Sequence, residues 1–172
     1  MMNTIGMIFM ATLWILIMRS QSSDCPQPQG ITLEGSVLLT FKCRLNDTLN
    51  ILTTWGKTQD PCDGTWNGIT CDSENVTEIL LEDNLLGGEL GPELSNLTEL
   101  QTLNLGNNNL TGQIPKELGL LTNLRDMDLE NNRFTGSIPP ELGNCTSLIY
   151  LTCLRNNEEL CLNPPNNICC PK

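Results

Sequence analysis

The fold of this chain is decided by a unit written twice without a gap: TELQTLNLGNNNLTGQIPKELGLL at residues 98–121 and TNLRDMDLENNRFTGSIPPELGNC at residues 122–145. Residues 74–97 repeat the same apolar, Asn and Gly positions, which makes three good copies of one 24-residue unit. A fourth copy begins at Thr146 and loses the pattern at Glu158. A fixed period of this size predicts a solenoid, in which each unit is one coil that stacks on its neighbours.

The sequence of each unit predicts a strand followed by a tight bend. The segment Leu-x-x-Leu-x-Leu alternates apolar and polar residues, so Leu103 and Leu105 are predicted to face the core and Thr102 and Asn104 to face solvent. The Gly and Pro residues that follow suit a short second strand and a bend, because Gly permits positive φ and Pro cannot donate a ladder bond. The closing Glu-Leu-Gly suits a single 3₁₀ or helical turn.

An asparagine follows the first strand of every unit, at the point where the chain must turn. Its side-chain amide can donate and accept, so it can satisfy backbone groups of adjacent coils that have no other partner. Stacked coils would align these residues into an inner ladder. The predicted members are Asn84, Asn108, Asn132 and Asn156.

The flanks of the repeats are predicted to cover the two ends of the stack, because a single unit buries too little apolar surface to be stable alone. Upstream, apolar residues at Val37, Leu38, Phe41 and Leu45 have helical spacing. A segment with two tryptophans and two cysteines, residues 55–72, follows this predicted helix.

Both the flank and the repeat resemble one family. The run SVLLTFKCRLNDTLNILTTWGKTQDPCDGTWNGITCD, residues 36–72, is similar to the N-terminal cap of plant extracellular leucine-rich repeat proteins, and the units resemble LxxLxxLxLxxNxLxGxIPxxLG. The length of the chain and its C-terminal residues are similar to those of ectodomains of somatic-embryogenesis receptor kinases and of short secreted relatives. The resemblance implies an α/β solenoid: a short right-handed leucine-rich repeat coil with a parallel concave sheet, a helical N-terminal cap and a small C-terminal cysteine cap.

Four segments are predicted from these patterns. They are a signal peptide at 1–22, an N-terminal cap at 23–73, repeats at 74–157 and a C-terminal cysteine cap at 158–172. The apolar stretch Ile5 to Met18 is short of the ~20 residues of a membrane span and is followed by small residues, which favours a cleaved secretory signal. The alternative is an uncleaved membrane anchor, because Arg19 lies after this stretch rather than before it.

The composition indicates a secreted, acidic domain with an aliphatic core. Of 172 residues, 39% are hydrophobic but only 4% aromatic, and the formal net charge is −11. This charge repels phosphate backbones and anionic headgroups, which excludes nucleic acid as an expected partner and favours a basic one. No later segment is apolar enough to cross a bilayer, so we expect an extracellular location in the cell wall or apoplast without a membrane span in the mature chain. Acidity kept for solubility alone is the alternative.

Nine cysteines in a secreted chain indicate disulfides, with at least one thiol left over. The resemblance implies a cap disulfide between Cys62 and Cys71, and Cys161 can pair with Cys169 or Cys170 in a C-terminal cover. Cys145 and Cys153 replace inward leucines and are either a bridge or small buried apolar residues, the second being favoured. Cys25 and Cys43 could tie the N-terminal tail to the cap helix. No metal site or cofactor is expected, because the chain has no histidine and no repeated CxxC pair.

Five sequons add support for export, although Asn-rich repeats generate some of them automatically. The acceptor asparagines are Asn46, Asn75, Asn96, Asn109 and Asn144.

No catalytic residue is predicted, because the absence of histidine removes Ser-His and Cys-His nucleophile pairs and the acids lie at exposed, repeat-phased positions. The favoured function is recognition of a peptide ligand or a larger leucine-rich repeat receptor, in plant signalling or defence, on a concave face rich in carboxylates. The predicted face comprises Glu78, Leu80, Glu82, Thr102, Asn104, Asp126, Asp128, Glu130, Tyr150, Thr152 and Arg155.

Three alternatives stay open at the level of sequence. The chain could inhibit secreted microbial cell-wall hydrolases, as polygalacturonase-inhibiting proteins do, although those proteins have a longer curved face. It could be a truncated product that folds but binds nothing, for which the eroded fourth unit is the argument. The acidic face could also be merely solvated.

Overall fold

The repeat units stack as coils with one strand of each coil on either side of a shared apolar interior. A computed structural model describes residues 26–152 and 157 of the protein. Within these residues the elements are one α-helix, α1 (Leu33–Arg44), and nine strands: β1 (Leu45–Asn46), β2 (Ile69–Asp72), β3 (Asn75–Leu80), β4 (Gly87–Glu89), β5 (Thr102–Asn104), β6 (Asn109–Gln113), β7 (Asp126–Asp128), β8 (Arg133–Thr135) and β9 (Tyr150–Thr152).

Two sheets run along the stack. The larger has the order β2-β3-β5-β7-β9, in which β2 is antiparallel to β3 and the other neighbours are parallel. The smaller has the order β1-β4-β6-β8, with β1 antiparallel to β4 and the rest parallel. Four 3₁₀ helices complete the coils and the cap: Pro61–Asp63, Pro92–Asn96, Lys116–Leu120 and Pro140–Asn144. The predicted α/β solenoid with a helical cap is confirmed.

The aliphatic rows predicted from the repeat form one continuous core. Leu103 and Leu105 are buried between the sheets, together with their equivalents Ile79, Leu81 and Leu129 in the neighbouring coils. Each buried leucine side chain contributes about 1.5–3 kcal/mol relative to an exposed one, so merging rows from successive coils stabilises what a single coil could not.

The N-terminal cap covers one end of this core with α1 and two stacked tryptophans. Thr32 begins the helix by accepting a hydrogen bond from the Gly35 N–H at 3.1 Å, the usual N-cap arrangement. The rings of Trp55 and Trp66 stack with centroids 5.8 Å apart, and both are buried. Each indole N–H has an acceptor, which removes the cost of burying it: the Asn67 carbonyl for Trp55 and the Thr58 hydroxyl for Trp66.

Side chains of α1 tie the cap to the first repeat. The Glu34 carboxylate accepts a hydrogen bond from the Val76 N–H of β3 at 2.7 Å. At the other end of the helix, the Arg44 guanidinium lies 2.9 Å from the Glu93 carboxylate. Because β1 also pairs with β4, the cap joins both sheets of the solenoid.

The asparagines at the turns bond two coils at once. The Asn132 oxygen accepts from the Leu110 N–H of the preceding coil, and its amide donates to the carbonyls of Leu105, Leu129 and Glu130. Asn108 makes the equivalent bonds one coil earlier.

The two ends of this series differ from the predicted ladder. Asn84 has only one side-chain donation, to the Glu82 carbonyl, because the cap and not another repeat precedes its coil. Asn156 lies outside the described residues. Asn157 is the residue that bonds the Phe134 N–H and the Leu129 carbonyl in the next rung, so the fourth unit reaches this position one residue later than its predecessors.

Cys62 and Cys71 are disulfide-bonded, which confirms the pairing that the family resemblance implied. Cys43 is disulfide-bonded as well, and its suggested partner Cys25 lies outside the described residues. Cys145 is a free, buried thiol whose Sγ lies 3.4 Å from the Leu118 carbonyl oxygen, which agrees with its favoured interpretation as a small buried apolar residue.

Substituting both Cys62 and Cys71 by alanine should lower the free energy of unfolding by about 2–3 kcal/mol, the chain-entropy value for a loop this short. The physical reason is that the bond closes the loop from Cys62 to Cys71 and so lowers the conformational entropy of the unfolded chain. Urea unfolding measures the change. The double substitution removes this bond alone, whereas a reductant would also break the disulfide of Cys43. An unchanged unfolding free energy would contradict a stabilising role for this bond.

Several sequence predictions concern residues outside the described part of the chain. They are the signal peptide at 1–22, Arg155 of the concave face, Cys153, and the C-terminal cap at 158–172 with Cys161, Cys169 and Cys170. Among the described residues, no helix combines the length and apolar character needed to span a bilayer.

Candidate protein-binding face

The larger sheet presents two rows of outward side chains, one residue per coil. In the first, which we call the front row, Glu78, Thr102, Asp126 and Tyr150 lie side by side on β3, β5, β7 and β9. In the second, the back row, the equivalent residues are Leu80, Asn104, Asp128 and Thr152. Neighbouring strands lie about 4.8 Å apart, so each row is a line of closely spaced side chains across the sheet.

A depression of about 230 Å³ lies between the two rows over β5, β7 and β9. Its polar walls come from both rows, and the backbones of Leu103 and Met127 lie between them, since those side chains are buried in the core. Tyr150 lies at the edge of the depression with 67% of its surface exposed, and Leu80 is exposed on β3, three strands away from Tyr150. The face therefore combines carboxylates with accessible apolar surface.

Some of the predicted binding carboxylates are engaged inside the fold. The two Glu82 oxygens accept hydrogen bonds at 3.0 Å from the side-chain amides of Asn104 and Asn107 on the next coil. Asp128 accepts a hydrogen bond from the Glu130 N–H at 2.9 Å, as Asn104 does from the Gly106 N–H at 3.1 Å one coil earlier. These hydrogen bonds stabilise the turns that follow the strands.

The front-row carboxylates are different. Within the described part of the chain, the side chains of Glu78 and Asp126 have no hydrogen-bond or ion-pair partner. Both lie partly exposed in a line with Thr102 between them. Of the carboxylates in the two rows, those of the front row are therefore the ones available to a ligand.

A polar network that the sequence pattern did not predict joins the coils at the end of the sheet. Asn131 donates to the Asn107 oxygen at 2.6 Å, and Asn107 in turn donates to Glu82. Asn107 and Asn131 both have positive φ, a conformation that Asn tolerates better than most residues. The signal in the sequence was the Asn-Asn pair, of which only the second member was assigned a role.

The pKa of Asp128 is raised above its usual value, first because burial disfavours the charged carboxylate and further because Glu82 is nearby. The hydrogen bond from the Glu130 N–H opposes this shift. Since the folded state binds this proton more tightly than the unfolded state, stability falls as pH rises through the interval between the two pKa values and stays lower above it.

Asp128→Asn should therefore raise the free energy of unfolding at neutral pH and flatten its pH dependence on the acidic side. The amide oxygen can still accept the Glu130 N–H, as Asn104 shows for Gly106 in the preceding coil. Urea unfolding from about pH 4 to pH 7 measures this, with Glu89→Gln on the smaller sheet as the control for loss of one negative charge. A variant that is less stable than the native protein at neutral pH would contradict the argument.

The sequon asparagines are distributed mainly away from the two rows. Asn46 is in β1 and Asn109 in β6 of the smaller sheet, while Asn96 and Asn144 end 3₁₀ helices. Asn75 begins β3 at the cap end of the larger sheet. Neither row contains a sequon asparagine.

Family models match the parts of the chain that build this architecture. A leucine rich repeat N-terminal domain matches residues 32–72, and the leucine rich repeat matches residues 99–121 and 123–145. Together with the capped coils and the parallel sheet, these matches show that the chain belongs to the plant leucine-rich repeat family. Ectodomains of this family are typically binding modules rather than enzymes.

Several relatives are plant receptors. The receptor protein-tyrosine kinase CEPR2 of Arabidopsis thaliana is 43% identical over 76 residues, which are 43% of this chain and 8% of that protein. The BIR2 ectodomain from the same organism superposes with a TM-score of 0.67 at 30% identity, covering 73% of this chain and 68% of that one. This chain thus spans less than a tenth of CEPR2 and about two thirds of the BIR2 ectodomain.

A second similar structure is a complex. The Arabidopsis receptor kinase HAESA was crystallised with the peptide hormone IDA and the co-receptor SERK1, and the match has a TM-score of 0.65 and 29% identity, covering 72% of this chain and 21% of that one.

Proposed function

We propose that this protein is an extracellular recognition module that binds a peptide ligand or a larger receptor ectodomain with the concave sheet. The observation that carries the proposal is the front row, in which the carboxylates of Glu78 and Asp126, unpartnered among the described residues, alternate with Thr102, and in which exposed Tyr150 is the last residue. A partner with positively charged groups complements this row.

The composition of the face supports protein recognition over mere solvation. Aromatic residues are enriched in protein interfaces, where they supply large rigid contact area, and Tyr150 is the exposed aromatic of the depression. Like charges on nearby strands oppose one another, so unpartnered acids in one row gain from an incoming cation. Neither row carries a sequon, which leaves the face free of predicted glycans.

The class of partner is suggested by a structural relative. HAESA, which is similar to this chain, was crystallised with a peptide hormone and a co-receptor. We assign this chain to the same kind of assembly in plant signalling or defence, with an extracellular location.

Reversing two charges of the front row, Glu78→Lys with Asp126→Lys, should weaken binding at least tenfold, about 1.4 kcal/mol in binding free energy. Electrostatic contacts at an exposed face act mainly on the association rate. Raising the salt concentration should therefore weaken binding of the native protein, as the charge reversal does. Surface plasmon resonance of the secreted protein against purified HAESA ectodomain with and without IDA, and against Lys- and Arg-containing synthetic peptides, measures both effects.

The matched control is Glu89→Lys with Glu117→Lys. It changes net charge by the same amount, but Glu89 lies on β4 of the smaller sheet and Glu117 on the third 3₁₀ helix. The control should bind as the native protein does. Equal affinities of native protein, front-row variant and control for every probe that binds would exclude the concave face as the binding site. Inhibition of a fungal polygalacturonase by the native protein would instead favour the hydrolase-inhibitor alternative.

A further inference from the structure

Three residues occupy the same position in successive coils on the 3₁₀-helix side of the solenoid. Asn96, Leu120 and Asn144 are the last residues of the helices Pro92–Asn96, Lys116–Leu120 and Pro140–Asn144. Successive 3₁₀ helices pack closely, since a Cβ on Gly119 would clash with the Glu141 carbonyl oxygen. The three residues therefore form one line, which we call the rim row.

The rim row faces solvent. The residue that follows each member is buried: Leu97, Leu121 and Cys145. Asn96 and Asn144 are exposed, and Leu120 is 66% exposed, among the most exposed large apolar side chains of the described residues. An aliphatic side chain this exposed in the middle of a regular stack has no partner within the described fold.

The sequence around the rim row repeats as well. The three triplets are Asn-Leu-Thr at 96–98, Leu-Leu-Thr at 120–122 and Asn-Cys-Thr at 144–146. The first and third are N-glycosylation acceptors. The middle triplet keeps the threonine and lacks only the asparagine, so Leu120 lies between two equivalent acceptor positions.

We propose that Asn96 and Asn144 carry N-linked glycans that flank Leu120 and cover it. In the reaction, the amide Nδ2 forms a bond to C1 of the first N-acetylglucosamine of a lipid-pyrophosphate-linked oligosaccharide. The C1–O bond to the pyrophosphate breaks, the lipid pyrophosphate leaves and the amide loses one proton. The glycosylated amide keeps one N–H, so the bond from Asn96 to the Glu93 carbonyl at 2.9 Å can persist.

The geometry favours these two sites over the sequon in the middle of the smaller sheet. Asn109 begins β6, which pairs with strands on both sides, and its side chain is partly buried there. The rim row lies at helix ends, which have free space outward: a Cβ added to Gly143, next to Asn144, would meet nothing within 4 Å. The rim row is also separate from the concave sheet, so this inference rests on the proposed extracellular location but not on the proposed binding face.

The first test is site occupancy of the full chain secreted from plant cells. Peptide mass spectrometry after glycosidase treatment in ¹⁸O water should find Asn96 and Asn144 modified. Leu120→Asn creates a third acceptor triplet at the equivalent position and should add the mass of one further glycan. Unmodified Asn96 and Asn144, or a Leu120→Asn variant without added mass, would overturn the inference.

The second test addresses the covering of Leu120. Removing the glycans from the folded protein with an amidase-type glycosidase should increase binding of a hydrophobic fluorescent dye, and Leu120→Ser should abolish most of that increase. Leu33→Ser serves as the matched control, because Leu33 is exposed on α1, away from the rim row. Deglycosylation without a gain in dye fluorescence, or a gain that Leu120→Ser leaves intact, would refute the covering role.

Discussion

Asn132→Ala should lower the free energy of unfolding by roughly 3–5 kcal/mol, because it leaves the buried Leu110 N–H without its acceptor, at about 1–3 kcal/mol, and removes three further hydrogen bonds to backbone carbonyls that contribute about 0.5–1.5 kcal/mol each. The Asn132 side chain is 4% exposed. Its oxygen accepts from Leu110 in one coil, and its amide donates to Leu105 in that coil and to Leu129 in its own. An alanine methyl group can replace none of these bonds, and water has little access to the site.

The repeat supplies the matched control for this experiment. Asn84→Ala is the same substitution at the equivalent position of the first coil, where the side chain is only partly buried and donates one bond to the Glu82 carbonyl. It should cost about 1 kcal/mol or less, the net value of one hydrogen bond. Urea unfolding of both variants gives the comparison. Equal losses at Asn132 and Asn84 would show that the bonds between coils add nothing to stability.

Gly88→Ala should destabilise the protein by about 3 kcal/mol or more, since it combines a left-handed backbone conformation with a steric clash. Gly88 has φ +97°, and a Cβ there would collide with the Arg44 carbonyl oxygen and lie 2.9 Å from the Leu45 Cα. Gly88 pairs with Leu45 across β4 and β1, so the methyl group would push the cap away from the first repeat. Hydrogen exchange should show lost protection in β1 along with the lower unfolding free energy.

Gly112→Ala tests the same repeat position without the clash. Gly112 has φ +77°, but the nearest atoms to its Cβ, at 3.2–3.4 Å, belong to the flexible end of the Glu89 side chain. The expected cost is about 1–2 kcal/mol, that of the backbone conformation alone. If Gly88→Ala were no worse than Gly112→Ala, the close contact between cap and repeat would not matter for stability.

The periodicity of the sequence predicted the buried residues and most of the turn residues of the repeats. The alternation around Leu103 and Leu105 predicted which side chains are buried, because a strand sends successive side chains to opposite faces wherever it lies. The same reasoning pointed to Asn108 and Asn132 as turn residues. The role of Asn157, whose oxygen accepts from the Phe134 N–H, was not predicted, because the spacing changes by one residue where the repeat pattern decays. The predicted Asn156 lies outside the described residues.

The residues of the candidate binding face were predicted, but not which of their carboxylates are bonded within the fold. Outward positions follow from alternation, so Glu78, Asp126 and Asp128 could be named from the sequence. Spacing alone does not show that Asp128 accepts from the Glu130 N–H or that Glu82 accepts from two asparagines of the next coil. Nor does it show that Asp126 has no partner among the residues that the structure describes.

The sequence by itself determined the period, the class of fold, the buried aliphatic rows and the chemistry of the cap, because each of these depends on the local pattern of apolar, Gly, Pro and Asn residues along the chain. Only the tertiary structure decided which polar side chains form hydrogen bonds within the protein and which are available to a ligand. Contacts such as Glu34 with Val76, Gly88 with Arg44, and Glu82 with Asn107 join residues more than twenty positions apart. Whether such groups meet depends on the register in which the coils and the cap stack, and that register is a property of the packed interior as a whole.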